Sequence, residues 1–193
     1  MSFKKKKYSV LKKSISKEIA DFAYSYFLNK RRVAKFLFDQ RYISPFTQYF
    51  GVWVDPQFSN TYSHYADIVM ETLLEKVKPT IEKHIGFKLS PTYTYARIYK
   101  KGDVLHRHKD RYSCEVSATL NLGGDEWPIY LDPTGGEGQA GIKVDLKPGD
   151  MLIYCGQVFL HYNKANSKKA KKNEFDTRPF LGLPAWYKGY TVK

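Results

Sequence analysis

Near Pro91 the sequence changes its period, and that switch limits the possible folds more than any other feature. Before it, apolar residues recur at helical spacing; after it, they alternate in short runs divided by Gly and Pro. Ser16 as an N-cap, with Ile19, Phe22, Ala23, Tyr26 and Phe27 at i, i+3, i+4 spacing, predicts a helix over 17–39. Met70, Leu73, Leu74 and Val77 predict a second helix, starting near Asn60 or Thr61. Pro79 is expected to end or kink it; the pattern resumes through Ile81 and Ile85, and Gly86 is a natural stop. Beyond Pro91, strands are expected over 92–99, 104–110, 114–122, 127–131, 142–146, 151–154 and 158–162. The stretches 101–103, 132–138 and 148–150 have the composition of turns. No repeat or linker interrupts the run. Helices first and many short strands after predict an α+β fold. Helical support over about 16–86 would pack on one face of a β-sandwich or jelly-roll core over about 91–163, as one domain spanning 1–193.

Composition narrows the setting. Hydrophobic residues make up 42% of 193, enough for a folded core. No apolar stretch approaches the ~20 residues that span a bilayer, so no membrane partner is expected. The lysines of 4–7 precede no apolar core, unlike a secretory signal. Two cysteines, Cys114 and Cys155, make no disulfide framework, and with no C-x-x-C spacing both read as buried thiols. A reducing, cytoplasmic location follows. The net charge of +13 implies attraction to something acidic, and nucleic acid is one such partner. The lysines at 4–7, 12, 13, 168, 169, 171 and 172 also fit solvated tails and loops.

The chemistry-bearing segment is Leu105-His106-Arg107-His108-Lys109-Asp110. In an extended strand, His108 and Asp110 would project to the same side. One imidazole beside one carboxylate is two-thirds of the two-His, one-carboxylate site of non-haem Fe(II). His106 shares the alternation, so a His-x-His-x-Asp strand holding zinc is a second possibility. His64 and His84 fall in the helical region and read as structural or exposed. No phosphate loop, dinucleotide fingerprint or G-x-S-x-G elbow is present.

A wider pattern surrounds this pair. Ala96 to Asp103 contains Tyr99-x-x-Gly102-Asp103, then come His108-x-Asp110, a strand of 117–122 ending in Gly123-Gly124, and Pro148-Gly149-Asp150 before an apolar strand. In this order the motifs resemble the 2-oxoglutarate/Fe(II)-dependent dioxygenases, most of all their prolyl 4-hydroxylase-like branch. The resemblance covers roughly the second half of the chain. It implies a double-stranded β-helix fold and, as cofactors, Fe(II), 2-oxoglutarate and ascorbate. It implies metal ligands at His108, Asp110 and a second, later histidine, and cosubstrate contacts at Tyr99 and Asn121. It implies hydroxylation of prolyl residues in a protein or peptide substrate, coupled to decarboxylation of 2-oxoglutarate.

The chain departs from the family after Tyr154. There the family carries a loop with the second histidine, followed by a basic residue for 2-oxoglutarate. Here Tyr154 runs into Cys155-Gly156-Gln157-Val158-Phe159-Leu160-His161-Tyr162. By order His161 is the second ligand; by pattern 158–162 is the closing strand and His161 a structural residue. A short block is therefore expected to be missing between Tyr154 and Gln157. Lys171, Lys172 and Arg178 follow, without a pattern that singles out the basic partner. Two other functions stay open: a dioxygenase acting on nucleic acid or a free amino acid, and a non-catalytic β-sandwich binding module with an incomplete iron site.

Overall fold

The computed structural model describes residues 3–44, 47–54, 57–108, 114–134, 141–155 and 160–177. A short helix, α1 (Phe3–Lys6), leads into β1 (Tyr8–Leu11), and α2 (Lys17–Asp39) follows. Ser16 caps α2 as expected, its side chain accepting from the Ile19 amide. Next come β2 (Val52–Val54), β3 (Ser59–Tyr65), α3 (Ile68–Ile85) and β4 (Leu89–Arg97). Five shorter strands complete the sheets: β5 (Val116–Leu120), β6 (Ile129–Leu131), β7 (Ile142–Val144), β8 (Met151–Tyr154) and β9 (Leu160–Lys164). A short helix α4 (Ala170–Asn173) and a turn at Glu174–Thr177 follow.

Among the described residues seven strands form one sheet in the order β1-β8-β5-β9-β4-β3-β2, and β6 pairs with β7 in a second. Every pair in register is antiparallel. The fold is thus α+β. Strand alternation divides the large sheet into two faces. Met151 and Ile153 of β8, Val116 and Ala118 of β5, and Leu160 and Tyr162 of β9 join the core with Ala20, Ala23 and Phe27 of α2 and Leu74, Val77 and Ile81 of α3. Leu152 and Tyr154 point the other way and pack with Leu131 and Val144 of the small sheet. The helices cover one face, and the small sheet covers the β1–β8 end of the other.

Buried carboxylates lock α3 in place. Glu71 accepts from both the amide and the hydroxyl of Thr94, each at 2.8 Å, which ties the helix to β4. Glu82 accepts from the Leu89 amide at 2.9 Å and from Lys88 and Lys78. Burial raises its pKa, but these bonds outweigh burial and hold it at about 2.

Several expectations need correction. The second helix starts at Ile68; residues 59–65 are strand β3, whose Thr61, Tyr62 and Ser63 are buried against neighbours. Ala66 breaks the chain direction at φ 57°, and Asp67 then caps α3. Pro79 does not end the helix, because Val77, Ile81 and Ile85 bury on either side of it, and that packing outweighs one lost backbone bond. Gly86 ends it in a left-handed conformation, as expected. The strand expected at 92–99 runs instead from Leu89 to Arg97. Residues 104–108 are not strand; the bonds that hold them come from side chains, described below. His64 lies in β3, not in a helix, and Cys155 is exposed rather than buried. No helix among the described residues is long and apolar enough to cross a membrane.

The turn before β8 shows how tightly the sheet edge is set. Gly149 has φ +87°, and a Cβ there would come within 2.7 Å of the Ile15 carbonyl oxygen. Asp150 beside it accepts from Lys12 Nζ at 2.8 Å and from the amides of Lys13 and Lys147 at 3.0 Å each. Gly149→Ala is expected to lower folding stability by about 1–3 kcal/mol, read as a lower midpoint in thermal unfolding.

Candidate active site

The face of the large sheet opposite the helices carries a row of polar and aromatic side chains at matched register. Tyr93 of β4 stands opposite His161 of β9, His161 opposite Ser117 of β5, and Ser117 opposite Tyr154 of β8. His161 is buried; its Nδ1 lies 3.1 Å from Ser117 Oγ, and its ring lies 4.3 Å from that of Tyr93. Tyr93 also stacks on Tyr65 and places its hydroxyl 3.6 Å from Cys114 Sγ. Tyr65 donates to Asp176 in the last turn. Tyr154 closes the row, its hydroxyl 3.1 Å from Thr119 Oγ1.

At the carboxyl end of β4 the face becomes aromatic and cationic. The Arg97 guanidinium lies 4.6 Å from the Phe58 ring and 5.0 Å from that of Tyr95. It donates to Gln57 at 3.0 Å and to the Tyr99 hydroxyl at 3.2 Å. Tyr99 stands edge-on to Phe58 and Trp127. The Tyr99-x-x-Gly102-Asp103 motif thus has a structural content. Gly102 turns at φ 90°, and Asp103 accepts from Thr61 at 2.7 Å and from the amide and ammonium of Lys100 at 3.1 and 2.6 Å. Burial raises the Asp103 pKa, but these donors outweigh it and hold the carboxyl below its usual range.

Residues 104–108 are therefore strapped at two points. Asp103 anchors their start to β3. Arg107 anchors their end, pairing with Asp132 just past β6. Asp132 is held in turn by the amide and hydroxyl of Thr134, at 2.8 and 2.6 Å. Within this strap His108 Nδ1 lies 2.8 Å from the His106 carbonyl oxygen. A carbonyl only accepts, so Nδ1 carries the proton, and in the neutral ring Nε2 carries the lone pair. That is the tautomer of a metal-binding histidine oriented by a backbone carbonyl.

The sequence-derived residues are placed unequally. His108 and Tyr99 lie on the one strapped segment that leaves the end of β4. His161 lies in mid-sheet, within the buried row. Asn121 is engaged by turns: its amide donates to the Leu146 carbonyl at 2.7 Å, and its oxygen accepts from the Gly123 amide at 2.9 Å. Asp110 and Arg178 lie outside the described residues, as do 156–159. The shared-face argument for His106, His108 and Asp110 loses its basis, because 104–108 is not a strand. Among the described residues no three His, Cys, Asp or Glu side chains converge as a metal site. The Arg97 cluster and the Asp132 strap were missed in sequence; Arg97 alternates with Tyr93 and Tyr95, and that period was the available signal.

The sequence matches no protein-family model and no curated protein. Among solved structures, the chain is similar to a prolyl-4-hydroxylase of Pseudomonas putida. The two are 14% identical, the match covers 83% of this chain and 85% of that one, and the TM-score is 0.49.

Proposed function

We propose that this chain is an Fe(II)/2-oxoglutarate-dependent dioxygenase that hydroxylates prolyl residues of a protein or peptide. The observation that carries the reading is the strapped His108, whose Nδ1 bond leaves the lone pair on Nε2, two residues before Asp110. An imidazole nitrogen with a carboxylate forms the N/O donor set that suits Fe(II). In this reading His108 and Asp110 hold the metal, and the Tyr99 phenol contacts 2-oxoglutarate. When bound, iron and 2-oxoglutarate supply the oxidising chemistry: 2-oxoglutarate and O2 become succinate and CO2 as one oxygen atom enters a substrate C–H bond. The protein's part is to fix the ligands, orient the substrate and limit water. His161 enters as a buried residue of the sheet, bridging Ser117 and Tyr93, rather than as a ligand. The shortness of 155–159 supports the reading that a block is absent there. β8 and β9 run parallel on either side of β5, and parallel strands are ordinarily joined by a dozen or more residues.

The test is succinate formation from 2-oxoglutarate with Fe(II) and ascorbate, with and without a proline-containing peptide, beside a measurement of metal uptake. Peptide-dependent succinate is the expected result. Metal uptake with turnover on a free amino acid or an oligonucleotide instead of the peptide would move the substrate class. Failure of both uptake and turnover would point to the binding-module reading.

A further inference from the structure

We propose that the groove at the start of β4 and the end of β9 binds single-stranded nucleic acid. It has a volume of about 370 Å³ and is lined by Phe87, Lys88, Ala165 and Asn166. Leu89 pairs with Lys164 beside it, and the Ala165 amide donates to the Lys88 carbonyl at 2.9 Å, so the sheet itself holds the walls together. The Phe87 ring is half-buried against the core, with Lys164 Nζ 5.7 Å from its centroid.

The rim is cationic. Lys83, Lys88, Lys164 and Lys168 are exposed, and Lys171 and Lys172 follow on α4. Helix α4 buries Ala170 and packs on β4 and β9. The acids tied to these residues are Glu82, already engaged by Lys78, Lys88 and the Leu89 amide, and Glu115, which accepts from the Lys164 amide. The lysines outnumber them, in a chain of net charge +13.

An ammonium rim around one aromatic ring in a small concavity is the chemistry of a single strand: phosphates for the lysines, a base face for the ring. A duplex keeps its bases stacked inside and would leave Phe87 idle; the carboxylates of an acidic peptide would pair with the lysines but offer the Phe87 ring no stacking partner. The groove lies at the Leu89 end of β4, whereas the segment that carries His108 leaves the strand at its other end, Arg97, about 26 Å along β4 at ~3.3 Å per residue. It is a docking site built from none of the residues of the proposed metal centre, and it stands whether or not the chain is an oxygenase.

Fluorescence anisotropy with a labelled short oligouridylate, over a range of salt, tests it on the whole chain. Wild type is expected to bind with an affinity that falls with salt. Phe87→Leu keeps the apolar packing but removes the ring, and is expected to weaken binding about 5- to 150-fold with little change in salt slope. Lys164→Gln with Lys168→Gln is expected to flatten the slope by about 0.7 for each phosphate that is no longer neutralised. Lys35→Gln, on α2 and paired with Asp39, is expected to change neither. The proposal is overturned by absent binding, by Phe87→Leu binding like wild type, or by polyglutamate displacing the oligonucleotide as well as unlabelled oligouridylate does.

Discussion

Asp67→Ala is expected to lower folding stability by about 3–5 kcal/mol, the cost of removing one partner of a buried ion pair. The Asp67 side chain is fully buried where α2, β3 and α3 meet. Its Oδ1 accepts from the Val69 and Met70 amides at 2.9 and 3.2 Å, capping α3. Its Oδ2 accepts from Tyr26 Oη at 2.8 Å, from His64 Nδ1 at 3.2 Å and from Lys30. Alanine would leave the largely buried Lys30 ammonium and the Tyr26 hydroxyl facing a space with no anion. Asp67→Asn keeps an acceptor for the cap, worth about 1 kcal/mol, but loses the charge, so its loss should be smaller. Urea denaturation at neutral pH measures both.

The same site predicts a pH dependence. Burial raises the Asp67 pKa, but bonds from His64, Lys30 and Tyr26 and the charge of Lys30 outweigh it, leaving the carboxyl well below its usual range. A carboxyl depressed on folding stabilises above its unfolded value of about 3.9. That stability is lost as pH falls below this value toward the folded pKa. Glu82, held at about 2, adds a loss of the same sign. Acid unfolding should therefore be less steep in Asp67→Ala than in wild type; equal steepness would remove Asp67 from the account.

His108→Ala is expected to abolish 2-oxoglutarate-dependent succinate formation and weaken Fe(II) binding by more than ~100-fold, beyond the loss typical of altering a residue that only orients a ligand. Two neighbouring substitutions make the result specific. His106 offers His108 its backbone carbonyl, which survives His106→Ala, so that variant should keep metal affinity within a few-fold. His161→Ala should cost about 1–3 kcal/mol of stability, because it removes a buried hydrogen bond to Ser117 and the ring packed on Tyr93, with metal affinity little changed. Isothermal titration with Fe(II) under anaerobic conditions reads all three. Turnover that survives in His108→Ala would remove the proposed ligand; metal loss in His161→Ala would return that histidine to the metal centre.

The contrast between α2 and β3 explains what was readable in sequence. Helix α2 carries its own evidence: a capping serine and an apolar stripe at helical spacing, both local. Gly86 and Gly149 were readable for the same reason, since a left-handed turn asks for glycine whatever surrounds it. Residues 59–65 carry no such mark. Their strand exists because β4 offers it a partner, pairing Ser63 with Arg97 and Tyr65 with Tyr95. Asp67 falls inside the helix expected from Asn60 or Thr61, and nothing local marks it as a cap, since its partners Lys30 and Tyr26 are distant in sequence. At the candidate site, the motif order points to His108 as a proposed ligand, while the alternation used to orient it does not apply, because side-chain ties to Thr61 and Asp132 shape that segment instead of a ladder.

Periodicity, caps and turn residues by themselves determined that two long helices precede the run of strands from β4 onward, that the class is α+β, and where several elements stop. These are local properties, written within a few residues of where they act. The tertiary structure alone decided that β5 lies between β8 and β9, that His161 is buried beside Ser117, and that the Asp103 and Arg107 ties hold His108. Each of those depends on which distant groups meet, and the free energy of such meetings belongs to pairs of segments rather than to either one.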